Sequence, residues 1–263
     1  MPNPWDAGTA KVLAWLGFEA LATTSGGFAT ALGCRDGAVG REAVLAHAAN
    51  IVDATELPVS ADFENAYADD PDGVADTVRL GVQAGLAGCS VEDYTGRDEE
   101  PFYELALAKE RIAAAAEAAH GRPVRLVLTA RAETHLRGRD DIPDTIARLQ
   151  AYEEAGADVL FAAGLTDRDD LGRLISSVGL PVSVIAREGS MSVAELTSLG
   201  VSRISVGPAF MFAALGAVIE AASELRDHGT YGYHERAALG AEGVREAFGP
   251  DGSDPSDTRL SSR

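Results

Sequence analysis

The sequence predicts an α/β barrel of eight parallel strands followed by extra C-terminal helices. Short β-rich runs alternate with Ala/Leu-rich amphipathic stretches, which is the pattern of repeated βα units. The length of 263 residues suits one closed barrel, and the 46% hydrophobic content can form a large core. The predicted strands are Pro2–Trp5, Glu19–Thr24, Pro58–Asp62, Cys89–Asp93, Arg125–Arg131, Asp158–Ala162, Pro181–Ile185 and Arg203–Val206.

The stretches between these strands predict helices. Hydroxyl or acidic N-caps open several of them, as Ser192 does, and a glycine such as Gly156 or Gly200 closes a helix before the next strand. We therefore expect one domain over residues 1–248 and a disordered, Pro/Gly/Ser/Asp-rich tail over 249–263. The predicted helices are Ala7–Leu16, Arg41–Ala54, Asp72–Gln83, Phe102–His120, Asp141–Ala155, Asp167–Val178, Val193–Leu199, Phe210–Arg226 and Ala237–Phe248.

Composition excludes several classes of partner. The net charge of −19 disfavours binding to nucleic acid and to anionic membranes, because phosphate binding needs clustered Lys and Arg. An anionic substrate would then need a bound metal or a placed arginine. Cys34 and Cys89 have neither metal-ligand spacing nor a disulfide framework. With no signal peptide and no bilayer-spanning run, we expect a cytoplasmic protein.

Two carboxylates mark the end of the strand that reaches Asp62. Asp62 and Glu64 lie two residues apart, so in an extended chain they point to the same side. Their mutual repulsion favours a cation between them, and Mg²⁺ prefers such oxygen ligands. The alternative interpretation is a pair of solvated loop acids in an acidic protein.

Other strand ends add acids, hydroxyls and one arginine. Because active sites of α/β barrels lie at the carboxyl ends of the strands, we expect Glu92 and Arg131 to face the same rim as Asp62. The hydroxyls and backbone N–H groups of Thr24, Ser25 and Gly26 either hold a carboxylate or only cap a strand-to-helix turn.

Six motifs follow one another at regular places along the chain, and they are Pro2–Ala7, Ala61–Tyr67, Gly88–Asp93, Thr129–Glu133, Ala155–Asp158 and Leu199–Ser205. Together these motifs resemble the isocitrate lyase/phosphoenolpyruvate mutase superfamily over residues 2–225. The resemblance implies a TIM-type (β/α)8 barrel, Mg²⁺ with Mn²⁺ as an alternative, and chemistry through an enolate or 2-oxo acid. It also implies a homodimer or homotetramer that swaps a C-terminal helix.

The resemblance also implies roles for single residues on the metal side. Asp62 matches the direct metal ligand, whereas Glu64 and Glu92 match acids that hold metal-bound water. Asp36 matches a further acid near the metal and the substrate.

On the substrate side, Arg131 matches the arginine that binds the substrate carboxylate and the enolate oxygen. Thr24, Ser25 and Gly26 match the cradle of that carboxylate. We take Arg131 and Glu92 as the catalytic pair, and the expected partner is a small anionic carboxylate.

Two departures from the family pattern affect the expected chemistry. The segment from Glu92 to Tyr103 lacks the Lys-Lys/Arg-Cys-Gly-His run of the lyases, so the acid/base is not identified; Tyr94, Arg97 and Tyr103 are substitutes, or else belong to a short charged turn. Ala22 stands where the mutases place a tryptophan, which disfavours phosphonate chemistry.

The chain also starts almost on its first strand, and a truncated start is one interpretation.

Three hypotheses remain open at this point. The first is an Mg²⁺-dependent lyase or C–C hydrolase acting on a small 2-hydroxy or 2-oxo di- or tricarboxylate through an enolate. The second is a phosphonopyruvate-type or phosphoenolpyruvate-type mutase or hydrolase. The third is a barrel that binds a ligand without catalysis.

Overall fold

The computed structural model describes residues 1–121 and 125–249. In this part of the chain, seven parallel strands form one curled sheet in sequential order, with helices between consecutive strands. This is the predicted barrel architecture. The strands are β1 (Leu21–Ala22), β2 (Val59–Asp62), β3 (Gly88–Glu92), β4 (Val127–Ala132), β5 (Val159–Ala162), β6 (Val182–Ile185) and β7 (Val201–Ser205).

Ten helices are present in the same ranges. Most agree with the predicted helices to within one or two residues at each end. The helices are α1 (Ala7–Trp15), α2 (Ser25–Ala31), α3 (Arg41–Asp53), α4 (Pro71–Gln83), α5 (Leu105–Ala119), α6 (Ile142–Glu154), α7 (Arg168–Ser177), α8 (Val193–Leu199), α9 (Ala209–His228) and α10 (His234–Phe248).

The predicted strand Pro2–Trp5 is wrong as a strand, but the segment occupies the gap between β1 and β7. The carbonyl of Pro2 accepts from the amide of Ala22 at 3.0 Å, and the N-terminal amine of Met1 donates to the carbonyl of Ile204 at 2.8 Å. A regular ladder cannot form because Pro2 and Pro4 carry no N–H group. The segment therefore closes the barrel with irregular contacts.

Asn3 supplies the largest share of these closing contacts through its buried side chain. Its Oδ1 accepts from Ser205 Oγ at 3.1 Å and from the amides of Val206 at 2.9 Å and Gly207 at 3.1 Å. Its Nδ2 donates to the carbonyl of Thr23 at 3.1 Å. One side chain thus joins the ends of the first and last strands.

Local sequence signals explain most helix boundaries. Asp6 and Ser192 each form a capping box, and the predicted glycine caps at Gly156 and Gly200 have left-handed φ values of 100° and 98°. Helix α2 was not predicted, because Gly26 and Gly27 disfavour a helix interior.

The barrel interior is polar at the level where the hydroxyls of Ser60, Ser90 and Thr129 point inward, together with Ser183 and the guanidinium of Arg203. Alternate residues of the same strands point outward and form the apolar core beneath the helices, among them Leu128, Leu160 and Val184. Barrel interiors are usually filled by branched apolar side chains, so this polarity needs a functional explanation.

The C-terminal helices leave part of their apolar surface exposed. α10 packs against α1, but α9 exposes Phe212, Val218 and Ile219 by more than half. The predicted homo-oligomer and the single domain over 1–248 stay predictions. The predicted tail lies outside the described residues apart from Gly249. None of the described helices is long and apolar enough to cross a bilayer.

Asn3→Ala should lower the free energy of unfolding by about 2–4 kcal/mol, because it leaves several buried donors without an acceptor. Urea denaturation measures this loss. Asn50→Ala, on the exposed face of α3, is the control and should change stability by less than about 0.5 kcal/mol. A loss in Asn3→Ala as small as the control's would contradict closure through Asn3.

Candidate active site

Asp62 ends β2 with its carboxylate at the mouth of the barrel, as predicted. Its Oδ2 accepts from the amide of Ser25 at 3.2 Å, and its Oδ1 accepts from Ser90 Oγ at 3.3 Å. Oδ1 also lies 3.6 Å from Nη1 of Arg131. Helix α2 and strands β3 and β4 therefore converge on this one carboxylate.

Arg131, at the end of β4, is held from several sides. Its Nε donates to Glu133 Oε1 at 2.5 Å and lies 3.5 Å from Glu92 Oε2. Its guanidinium carbon is 5.0 Å from the centre of the Phe161 ring. Burial alone would lower the pKa of Arg131, but Glu133, Glu92 and Asp62 outweigh it and raise the pKa above its ordinary value.

Glu64 does not continue the strand direction of Asp62. Its φ is +50°, and Ala66 and Tyr67 that follow are also left-handed at +59° and +57°. Such conformations cost on the order of 1 kcal/mol each in residues other than glycine and occur where surrounding contacts enforce them. The simple two-residue alternation from which we grouped Asp62 with Glu64 therefore does not hold beyond Asp62.

Arg111 enforces this strained turn from the helix side. Its buried guanidinium donates to the carbonyls of Asn65 at 2.6 Å and Asp69 at 2.8 Å, and also to that of Ala68. It stacks on the ring of Tyr103, with 3.8 Å from the guanidinium carbon to the ring centre. The turn presents Glu64 to the cavity, where its Oε1 accepts from the hydroxyl of Tyr67 at 3.1 Å.

The acids of the site raise each other's pKa. Burial raises the pKa of Glu64 to about 7, and repulsion by Asp62 and Asp36 adds to it, while the Tyr67 hydrogen bond opposes the rise. Burial also raises the pKa of Glu92 well above its ordinary value, with Glu133 adding to the effect and Arg131 opposing it. Carboxylates that interact this strongly form an environment that favours a bound cation.

The predicted carboxylate cradle lies at the start of α2. Thr24 caps that helix by accepting from the amide of Gly27 at 3.3 Å, so the capping interpretation of its hydroxyl is right. The amide of Ser25 is already used by Asp62. A Cβ atom at position 26 would lie 3.4 Å from the carboxylate of Asp36, so the start of α2 is close to that acid.

Two adjoining cavities open at this rim. The inner one, about 350 Å³, extends from Thr24, Asp36, Asp62 and Arg131 down to Arg203. The outer one, about 440 Å³, is lined in addition by Glu64, by Glu92 and by residues 94–96, which follow β3. Both cavities are bordered by Ser25, Asp36, Arg131 and Leu136. The structure thus brings together all of the predicted site residues, which are Thr24, Ser25, Gly26, Asp36, Asp62, Glu64, Glu92 and Arg131.

The segment over 94–103 forms a short turn in which Tyr94 and Phe102 pair as an antiparallel bridge. Arg97 is exposed and pairs with Asp69 at 3.0 Å, and Tyr103 donates to the same carboxylate at 2.5 Å. These two residues therefore anchor the turn, whereas Tyr94 borders the outer cavity.

Asp93 has a structural role, although it follows Glu92 directly. It is buried and faces α6, where it accepts from Tyr152 Oη at 2.7 Å and Arg148 Nη1 at 3.2 Å. It also accepts from the amide of Glu133 at 2.9 Å, which fixes the start of the segment after β4. Because successive side chains of a strand point to opposite faces, Asp93 points away from the site that Glu92 faces.

The donor set fits one Mg²⁺ ion held mainly through water. Within 1–121 and 125–249, no three His, Cys, Asp or Glu side chains form a group that could hold a metal directly. Mg²⁺ commonly takes one or two carboxylates and keeps several waters, so Asp62 as a direct ligand with Glu64 and Glu92 behind water is compatible with this geometry.

Two residues of the site, Glu133 and Arg203, received no role of their own from the sequence. Glu133 is completely buried and orients Arg131 as well as Arg137, whose Nε donates to Glu133 Oε2 at 3.0 Å. Arg203, in the middle of β7, points into the barrel below Asp62. The first could have been found from its two-residue spacing to Arg131, which puts both side chains on one side of the strand.

Comparison with known proteins places this architecture in a family. Residues 1–226 match the family model of phosphoenolpyruvate phosphomutase. An uncharacterized protein of Mycobacterium tuberculosis is 34% identical over 229 residues, which is 86% of this chain and 84% of that protein. The 2,3-dimethylmalate lyase of Eubacterium barkeri is 28% identical over 244 residues, covering 87% and 82% of the two chains.

Solved structures agree with this comparison. A Burkholderia cenocepacia J2315 protein named as a candidate lyase/mutase superposes with a TM-score of 0.92 at 50% identity, covering 96% of this chain and 92% of that one. An oxaloacetate acetylhydrolase in complex with oxalate gives 0.79 at 26% identity, covering 88% and 82%. A phosphonopyruvate hydrolase in complex with oxalate and Mg²⁺ shares the fold at 22% identity, with a TM-score of 0.82 and coverage of 98% and 90%.

The raised pKa of Glu64 predicts how the stability of the metal-free protein depends on pH. A carboxyl that is protonated more readily in the folded state stabilises it at low pH, and this contribution is lost as pH rises from about 4.5 through about 7. Across this window, Glu64→Gln should therefore gain stability relative to the wild type. Urea denaturation in the presence of a chelator measures the difference. Glu56→Gln, at an exposed position, controls for the lost charge; a pH-independent difference for Glu64→Gln would contradict the assignment.

Proposed function

This chain belongs to the phosphoenolpyruvate phosphomutase family, and on that premise we propose that it is an Mg²⁺-dependent lyase or C–C hydrolase of a small 2-hydroxy or 2-oxo di- or tricarboxylate. The reaction passes through an enolate. The observation that carries the proposal is the fixed guanidinium of Arg131 opposite the carboxylate of Asp62 at the wall of one cavity. The family consists of lyases, mutases and hydrolases that act on small carboxylates.

Arg131 is suited to receive negative charge as it develops. A guanidinium matches a carboxylate with two parallel hydrogen bonds, and it remains charged throughout catalysis. Because Glu133 and Phe161 hold it in place, it needs little reorganisation when an enolate oxygen forms nearby. A single preorganised donor of this kind typically contributes about 3–4 kcal/mol to transition-state stabilisation.

The metal side of the proposal uses the neighbouring acids. Asp62 would bind Mg²⁺ or Mn²⁺ directly, while Glu64, Glu92 and Asp36 would bind water molecules around it. When bound, the ion supplies Lewis-acid stabilisation of negative charge on the substrate oxygens. The carboxylate of the substrate then lies between Arg131 and the backbone at the start of α2.

Glu92 is the proposed proton carrier among the described residues. Burial raises the pKa of Glu92 well above its ordinary value, which favours the protonated form of this carboxyl. Its Oε2 lies 3.5 Å from Nε of Arg131 and therefore close to where the enolate oxygen is expected. Tyr94, at the outer cavity, is an alternative carrier.

A phosphonopyruvate-type mutase or hydrolase is the second candidate, since the matching family model is that of a phosphomutase. The small side chain of Ala22 at the wall of the inner cavity argues against it, because the mutases resembled by this sequence place a tryptophan there. We therefore rank carbon–carbon cleavage first.

Asp62→Asn should abolish both the Mg²⁺-dependent stabilisation by oxalate and the turnover, because it removes the direct metal ligand. Oxalate is a planar dianion that mimics pyruvate enolate, and a ligand of the folded state raises the unfolding temperature. The measurement is thermal unfolding with oxalate, with Mg²⁺ or excess chelator. Asp76→Asn, a surface change beside Arg79, is the matched control.

The outcomes separate the hypotheses. If oxalate stabilises the wild type only with Mg²⁺, and release of pyruvate, glyoxylate or acetate from candidate substrates requires Asp62, the proposal is supported. Phosphorus NMR of phosphonopyruvate reactions detects the second candidate. Ligand binding without turnover on either class of substrate would instead favour a non-catalytic barrel. Full oxalate response in Asp62→Asn would overturn the assigned metal site.

A further inference from the structure

Arg203 spans the interior of the barrel without a carboxylate partner. It starts on β7 and reaches across to β4, where its Nη1 donates to Thr129 Oγ1 at 3.2 Å. No Asp or Glu oxygen of the described residues lies within ion-pair distance of this guanidinium, whereas Arg131 above it has three such neighbours. Arg203 lines the floor of the inner cavity.

Ser183 lies directly beside Arg203 and shares its unmet hydrogen-bonding capacity. The two residues are register partners on β6 and β7, so their side chains point to the same side of the sheet. Ser183 Oγ and Arg203 Nε are both buried, and neither has a hydrogen-bond partner among the described protein atoms. Buried donors without partners are rare and costly, which indicates that something other than the protein satisfies them.

The charge of Arg203 persists in this position despite its burial. Burial lowers the pKa of Arg203 to about 10, with Asp62 opposing the shift, so the group is still cationic at neutral pH. A buried, unpaired cation reduces stability unless it is retained for another reason. An anion entering the cavity from above would meet this cation at the floor.

We infer that Arg203, together with Ser183, binds the far carboxylate of the substrate and thereby selects dicarboxylates over monocarboxylates. This inference rests on the proposed function, in which the 2-oxo or 2-hydroxy carboxylate end of the substrate lies at Asp62 and Arg131. The inner cavity of about 350 Å³ contains both arginines and is at the small end of ligand-binding pockets. A guanidinium and a hydroxyl together match the donors that one carboxylate needs.

The test uses pairs of ligands that differ only in the far carboxylate. These are oxaloacetate with 2-oxobutyrate and 2-oxoglutarate with 2-oxovalerate, each titrated calorimetrically with Mg²⁺. The wild type should bind the dicarboxylate of at least one pair about tenfold or more tightly. Arg203→Met should remove this preference, Arg203→Lys should keep part of it, and oxalate binding should remain, because oxalate is too short to reach the floor.

Two readouts distinguish substrate binding from a structural role. The unfolding temperature of Arg203→Met should equal or exceed that of the wild type, since methionine removes a buried unpaired charge. Arg187→Met is the matched control, because Arg187 is exposed at the rim of the same cavity, and the preference should persist in this variant.

Several outcomes would overturn the inference. If the wild type shows no preference for the dicarboxylate in either pair, the inference fails before any variant is made. It also fails if the preference disappears in Arg187→Met and persists in Arg203→Met, or if oxalate and dicarboxylate binding are lost equally in Arg203→Met. If oxalate with Mg²⁺ binds and only the pair preference is missing, the proposed function stands without this inference. If oxalate does not bind the wild type, both fail.

Discussion

The buried guanidinium of Arg131 sets the constraint on which the rest of the site depends. A charge placed there requires compensation, and Glu133, Glu92 and Asp62 supply it from three neighbouring positions at the barrel mouth. Burial raises the pKa of both Glu64 and Glu92, and repulsion adds to it, from Asp62 and Asp36 at Glu64 and from Glu133 and Asp62 at Glu92. The site thus has a positive charge on Arg131 and negative charges on the neighbouring acids. An anionic substrate and a divalent cation can therefore bind next to each other.

The scaffold provides this arrangement through supports that lie outside the cavity. Asp93 fixes the segment after β4 from the helix side, and Arg111 holds the strained turn that presents Glu64. Asn3 joins the two ends of the sheet and so holds the loops that follow β1 and β7 in fixed relative positions. Each of these contacts uses a buried polar group whose partners are satisfied. The unsatisfied atoms of Ser183 and Arg203 differ from this pattern. Arg203 lines the inner cavity, and Ser183 is its neighbour on β6.

Much of this could be predicted from the sequence, because strand alternation and the meeting of parallel strands at one edge are local rules. These rules predicted that Asp62, Glu92 and Arg131 meet at one rim, and the structure brings the three side chains together there. Other features depend on tertiary contacts that no local pattern contains. The first segment resembles a strand, but its prolines prevent a ladder, and α2 forms despite two glycines. Arg203 was missed because a charged residue in an alternating strand normally faces solvent, whereas here the alternation points it into a polar interior.

The most direct test of the central claim is anomalous diffraction from crystals grown with Mn²⁺ and oxalate. If Asp62 binds the ion directly, one strong anomalous peak should lie about 2.2 Å from a carboxylate oxygen of Asp62, with oxalate between that peak and the guanidinium of Arg131. Glu64 and Glu92 should contact the ion through water. A peak located elsewhere, or oxalate bound away from Arg131, would contradict the assignment of this rim as the active site.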